Sequence, residues 1–172
     1  MKIIEDEIKK NNHQAFLLKI TGLAGGKYGY PKDSAAAKVF IERDEKLKNS
    51  LFLRHYLEGV SERKYGYEKN KKIAKEVLEE QLKRENIDAF MPVVNALSRG
   101  LYGYDVDPRR CTQIINDFSK KNLPLAHALK IEGLYRGRYG YEKNILQAIT
   151  FLKTVNPVSL GFVSEIIASI HS

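Results

Sequence analysis

The four histidines, the one cysteine and the adjacent acids are the residues that could do chemistry, and none is spaced for it. His13, His55, His127 and His171 form no His-Glu-x-x-His pair, the spacing that sets two imidazoles on one helical face around zinc. The sequence has no Gly-x-Ser-x-Gly elbow and no phosphate-binding loop. Glu79 and Glu80 are neighbours, point apart on a helix and do not flank a single bond. A lone Cys111 excludes an intramolecular disulfide and a Cys-based zinc site, and fits a reducing compartment. The expectation is a protein that is not an enzyme, with no catalytic residue, no metal and no cofactor.

The tyrosines carry the strongest pattern. Tyr-Gly-Tyr occurs as Tyr28-Gly29-Tyr30, Tyr65-Gly66-Tyr67, Tyr102-Gly103-Tyr104 and Tyr139-Gly140-Tyr141, always 37 residues apart, and takes eight of the ten tyrosines. Lys27, Lys64 and Arg138 precede the triplets, and Lys32, Lys69 and Lys143 follow them; Leu101 and Val106 interrupt both rows in the third copy. Tyrosines beside cations resemble a nucleic-acid footprint, with bases stacking on the rings. Identical residues in every copy suit a shared structural duty better: a glycine takes a backbone shape others resist, and each Tyr wedges between units with its hydroxyl satisfied.

A fixed period of this length signals a repeat array. Four periods leave an N-terminal segment, 1–12, and a C-terminal piece; the units run approximately 13–49, 50–86, 87–123 and 124–160. Eight residues before each first Tyr stand Ile20, Leu57, Val94 and Ile131, and five before it Leu23, Val60, Leu97 and Leu134: an i, i+3 helix face. Between them, Gly22, Gly59, Ala96 and Gly133 leave room for another helix. Five after it, Asp33, Asn70, Asp107 and Asn144 read as N-caps, and Pro108 supports a helix start there. Ala37, Ala74, Cys111 and Ala148, with Phe40, Val77, Ile114 and Phe151 three places on, are expected to face inward, so Cys111 takes a small buried apolar role. Each unit is thus helix A (13–26, 49–62, 86–99, 123–136), a turn, and helix B (33–46, 70–84, 107–120, 144–154), with Pro92 tolerable if the third helix A starts near Asp88. Residues 158–170, with Leu160, Val163, Ile167 and Ile170, read as a capping helix, since they lack the basic face of a membrane-surface helix.

These residues resemble the Sel-one-like repeat family, relatives of the tetratricopeptide repeats. In the fourth unit the match falls on Ile131, Tyr135, Gly140-Tyr141, Asn144 and Ala148, and in the first on Gly29-Tyr30, Asp33 and Ala37. Tyr replaces the family's Val in every turn, and the glycine after Leu is Thr21, Glu58, Asn95 or Glu132 here. The resemblance implies an all-α fold, a right-handed α/α superhelical solenoid of four helix–turn–helix repeats, with helix A on the concave face. Lys19, His55, Tyr56, Glu58, Glu62, Asn95, Arg99, Glu132, Tyr135 and Arg136 differ between units at that face and are the candidate partner contacts.

Across 172 residues, 43% are hydrophobic, 29% are charged, and the formal charge is +8. That is a globular composition whose basic surface favours an acidic partner. The N-terminus carries acids where a signal peptide needs an apolar core, and no apolar run approaches a membrane span, so a soluble, cytoplasmic protein is expected. The resemblance implies a function as a scaffold that binds another protein. Its sharper form, also implied by the resemblance, is a bacterial immunity-type protein that masks an acidic surface on a toxin or effector, and its alternative is a signalling or assembly adaptor. A single-stranded nucleic-acid binder using the Tyr/Lys ladder is the rival from another class.

Overall fold

The computed structural model describes residues 1–43 and 50–155; the stretch read as a capping helix, 158–170, and His171 lie outside them. The described residues are helical and contain no strand. Two compact units divide the chain, Met1–Pro92 and Val93–Ser172. The first holds α1 (Lys2–Lys9), α2 (His13–Gly25), α3 (Ser34–Glu42), α4 (Ser50–Glu62) and α5 (Lys71–Lys83). A 3₁₀ turn at Ile87–Ala89 leads into α6 (Phe90–Arg99), and the second unit continues with α7 (Pro108–Lys120), α8 (Pro124–Arg136) and α9 (Ile145–Thr154). The helices fall on the A and B spans expected from the period. Pro92 is the third residue of α6, where its missing N–H costs no helical bond.

One connection, built four times, joins A to B. Helix A ends on a left-handed residue: Gly26, Arg63, Gly100 or Gly137. The next N–H then reaches back to helix A, as from Lys27 to Gly22 O at 3.0 Å and from Arg138 to Gly133 O at 3.1 Å. Next comes Tyr-Gly, and then the cap. The side chains of Asp33, Asn70, Asp107 and Asn144 accept from the backbone N–H of Ala36, Ile73, Arg110 and Gln147 at 2.8–3.1 Å. The capping residue's own N–H is tied to helix A: Asp33 to Leu23 O at 2.7 Å, Asp107 to Leu97 O at 2.9 Å.

The core follows the period with one shift. Ile20, Leu57, Val94 and Ile131 are fully buried, as are Ala37, Ala74, Cys111 and Ala148. Four places beyond that small residue, Ile41, Leu78, Ile115 and Leu152 are buried in every unit; three places beyond it, Phe40 is buried as expected, whereas Val77, Ile114 and Phe151 are half-buried. The i+4 residue stands more squarely above its partner on these helices. The small residue of helix A has a different neighbour from the one expected. A Cβ at Gly22 would meet Tyr30 Cδ2 at 2.6 Å, and one at Gly59 or Gly133 would run into the ring of Tyr67 or Tyr141. The space is filled by the unit's own second tyrosine.

Residues 1–12 are more than a leading segment. Lys9 ends α1 two repeat lengths before Lys83 ends α5, and the turns that follow match: Asn11 and Glu85 have φ of 58° and 57°. Asn12 and Asn86 then cap the next helix, each accepting a backbone N–H at 3.0 Å. α1 is a further copy of helix B.

Candidate partner-binding surface

Each Tyr-Gly is a two-residue turn with positive φ at both positions. The tyrosines have φ between 53° and 57° and the glycines between 80° and 84°. The second Tyr closes the turn by donating its N–H to the carbonyl of Lys27, Lys64, Leu101 or Arg138, at 3.0 Å every time. This is the primed type I geometry, in which a non-glycine residue is strained. The two rings of a triplet therefore have different duties. Tyr30, Tyr67 and Tyr104 are buried, while Tyr28 is 50% exposed. Buried rings wedge the turn against helix A and offer no face to a base.

The wedge also fastens the turn to the preceding helix B. Tyr30 Oη donates to Glu5 of α1 at 2.7 Å, and Tyr141 Oη to Asn116 of α7 at 3.0 Å. Burial and the Glu5 hydrogen bond push the Tyr30 phenol well above its ordinary range. The first tyrosines instead lean on their own helix A. Tyr65 Oη donates to Glu58 at 3.0 Å, and Tyr139 Oη to Glu132 at 3.2 Å. Burial, then the Glu58 bond, pushes Tyr65 up to about 12.

The candidate contacts divide into those the fold uses and those that face outward. His55 is only 7% exposed, its ring 5.4 Å from that of Tyr65. Tyr56 is half-buried, edge-on to Tyr67 at 5.3 Å, and burial raises its phenol. Glu58 and Glu132 hold the turn tyrosines, and Glu132 also receives Arg138 at 2.8 Å and Arg136 at 4.0 Å. Tyr135 packs beside Ala128, Ile131 and Leu152. Asn95 is half-buried; Glu62, Arg99 and Arg136 are exposed, and Glu62 pairs with Lys64. Lys19 is fixed on both sides: Nζ lies 2.8 Å from Glu5 and 4.7 Å above the Phe40 ring. Lys130 repeats that second contact at 4.5 Å over Phe151, and burial lowers its pKa.

The basic row beside the turns is partly neutralised, because Lys64 and Arg138 pair with acids of their own unit. Cys111 is buried with Sγ 3.4 Å from Ser98 Oγ, and burial pushes its thiol up. His127 shares a hydrogen bond with Ser119 O at 2.9 Å and stands edge-on to Phe151. Among the described residues, no group of three His, Cys, Asp or Glu could hold a metal ion, and no helix is long and apolar enough to cross a membrane.

Sequence reasoning passed over Arg43. Its guanidinium lies 4.3 Å above Phe40, 4.6 Å from Phe16 and 5.5 Å from Phe52, rings contributed by α3, α2 and α4. The one available signal was a cation at a position where the other units have Glu80, Asp117 and Thr154. Compared with protein-family models, with curated proteins and with solved structures, the chain returns no match.

Proposed function

We propose that this chain is a non-catalytic protein-binding module, a right-handed α/α solenoid of four 37-residue repeats with a capping helix over 158–170. The resemblance of its turn residues to Sel-one-like repeats supports this arrangement. One observation carries the functional reading: the positions that build the fold are constant, and the helix-A surface beside them is not. The turn and the cap keep one geometry in all four units. The A-helix series Gly25, Glu62, Arg99 and Arg136 is exposed in all four units and changes charge and size from unit to unit. A rigid frame presenting varied side chains loses little ordering entropy on binding, which is what a docking scaffold requires.

The formal charge of +8 directs the choice of partner towards an acidic protein surface. In its sharper form, this is a cytoplasmic bacterial immunity-type protein that masks a toxin or effector; a signalling or assembly adaptor uses the same surface chemistry. Affinity purification from the native host at moderate salt tests the reading. A stoichiometric protein partner is the expected result. Recovery of nucleic acid without one, with affinity falling steeply between low and high salt, would replace it with the strand-binding alternative.

A further inference from the structure

The B helices carry their own internal control. Repetition shows which outward residues the fold requires, so a face that departs from its counterparts has another reason. On α5 the outward face is charged, with Lys72, Glu76 and Glu80 among its residues, and Lys72 pairs with Glu76. The same positions on α3 are Ala35, Val39 and Arg43. Val39 is 68% exposed, where the other units have Glu76, Gln113 and Thr150. On α9 those positions are Leu146, itself 75% exposed, Thr150 and Thr154, so α3 is set apart by the combination of an apolar Val39 with the cation Arg43.

Ala35, Ala36, Val39 and Phe40 of α3, with Leu23 of α2 and Tyr30 of the turn, line a groove of about 620 Å³. Two cations, Lys19 and Arg43, stand on it. They differ in their commitments. Lys19 is matched by Glu5 at 2.8 Å. The one acid lining the groove, Asp33, is occupied in capping α3. Arg43 has no carboxylate partner among the described residues and is held instead over three phenyl rings. A guanidinium stacked on rings keeps its N–H donors at its edge, already oriented for a two-pronged bond to a carboxylate.

We propose that this groove takes an acidic, apolar segment of the partner protein: an apolar side chain seated against Leu23, Val39 and Phe40, with an Asp or Glu nearby bound by Arg43. The inference rests on the protein-binding reading and narrows it to one surface and one ligand chemistry. Charge complementarity selects the segment, because an acid beside the apolar side chain meets the guanidinium of Arg43, for which the described residues supply no carboxylate, whereas a basic group is repelled by it.

The test uses the full chain and fluorescein-labelled ten-residue peptides that carry Leu and Asp three or four positions apart in a Gly/Ser background, read by fluorescence anisotropy. Binding is expected to weaken at least tenfold in Arg43→Ala and in Val39→Glu, and to survive Lys72→Ala on α5. Val39 is exposed, so Val39→Glu leaves the core intact even if loss of Arg43 loosens the three rings. Peptides with Leu→Ser or Asp→Lys are expected to lose binding to the same degree. Absence of binding, equal binding by the variants, or equal binding of the altered peptides would overturn the proposal. Recovery of the host partner by wild-type and Val39→Glu baits alike sinks the groove and leaves the binding function standing; recovery of no protein by either sinks the function itself.

Discussion

The hydroxyl of Tyr30 donates to Glu5 across 2.7 Å, joining the first turn to the helix that precedes its unit. Three repeat lengths later Tyr141 donates to Asn116, the residue in the same register of α7. The bond thus occurs in the first and the fourth units. Glu5 also holds Lys19, so it joins α1, α2 and the turn at once. Tyr30→Phe is expected to destabilise the protein by about 1.5–3 kcal/mol, the worth of a hydrogen bond to a charged group. Glu5→Ala is expected to do at least as much, and the double variant less than the sum. Urea unfolding measures the cycle, and faster amide exchange over residues 2–9 locates the loss.

The same carboxylate sets an acid limit. Hydrogen bonds from Lys19 and then Tyr30 hold the Glu5 pKa below its ordinary 4.5. A carboxylate depressed in the folded state stabilises it above the unfolded pKa, and that contribution disappears as pH falls through the folded value. Wild-type Tm is thus expected to fall more steeply than that of Glu5→Gln below about pH 4.5. Parallel thermal melts from pH 6 to pH 3 check this; curves of equal slope would remove Glu5 from the acid response.

Local signals in the sequence were legible and three-dimensional ones were not. Asp33, Asn70, Asp107 and Asn144 announce helix starts because a cap is a matter of a few consecutive residues. The inward register was ambiguous for a specific reason: both candidate positions are apolar in all four units, Phe40 and Ile41 in the first, Phe151 and Leu152 in the last. α1 escaped notice because the Tyr-Gly-Tyr that marks every other helix B would fall before residue 1. Gly22 was matched to a helix when its neighbour is Tyr30, eight residues on, since nothing in the spacing shows that the turn folds its ring back. Arg43 acquires its role only when α2, α3 and α4 bring three phenyl rings beneath it.

Tyrosine at positive φ in four turns is a local cost that the side chain must offset. Asn-Gly is the preferred pair for this turn because Asn tolerates the left-handed region. Tyr28 is half exposed and Thr21 stands where Tyr65 finds Glu58, so Tyr28→Asn is expected to stabilise by about 0.5–1 kcal/mol through relief of strain. Tyr65→Asn gives up the Glu58 hydrogen bond and the His55 ring contact, and is expected to be neutral or destabilising. Urea midpoints of the two variants decide it. Equal gains would show that the Glu58 bond contributes nothing.

The turn glycines differ in what lies beyond them. Gly66 has φ 80°, and a Cβ there would stand 2.5 Å from Ser34 O, a backbone atom that cannot swing aside. Gly29 has φ 82°, but its Cβ would meet only Met1, at 3.5 Å. Gly29→Ala is expected to cost about 1 kcal/mol, for the backbone conformation alone. Gly66→Ala adds displacement of the start of α3 and is expected to cost about 2–4 kcal/mol. Thermal and urea denaturation of both variants tests the difference; matching losses would mean that the turn does not bear on α3.

At the alkaline end the tyrosines should leave a signature. Tyr65 is pushed up to about 12 from 10.0, first by burial and then by its bond to Glu58. The neutral phenol is the form that fits the fold, so its contribution is complete below pH 10 and is lost as pH rises through about 12. Phenolate absorbance after a rapid pH jump reads the folded protein before it unfolds. The difference between wild type and Tyr65→Phe is expected to be one phenol with a midpoint near 12. Glu58→Gln removes the negative acceptor and is expected to bring that midpoint down. A Tyr65 component already titrating near 10 in the wild type would place this ring in solvent and break the link between the turn and helix A.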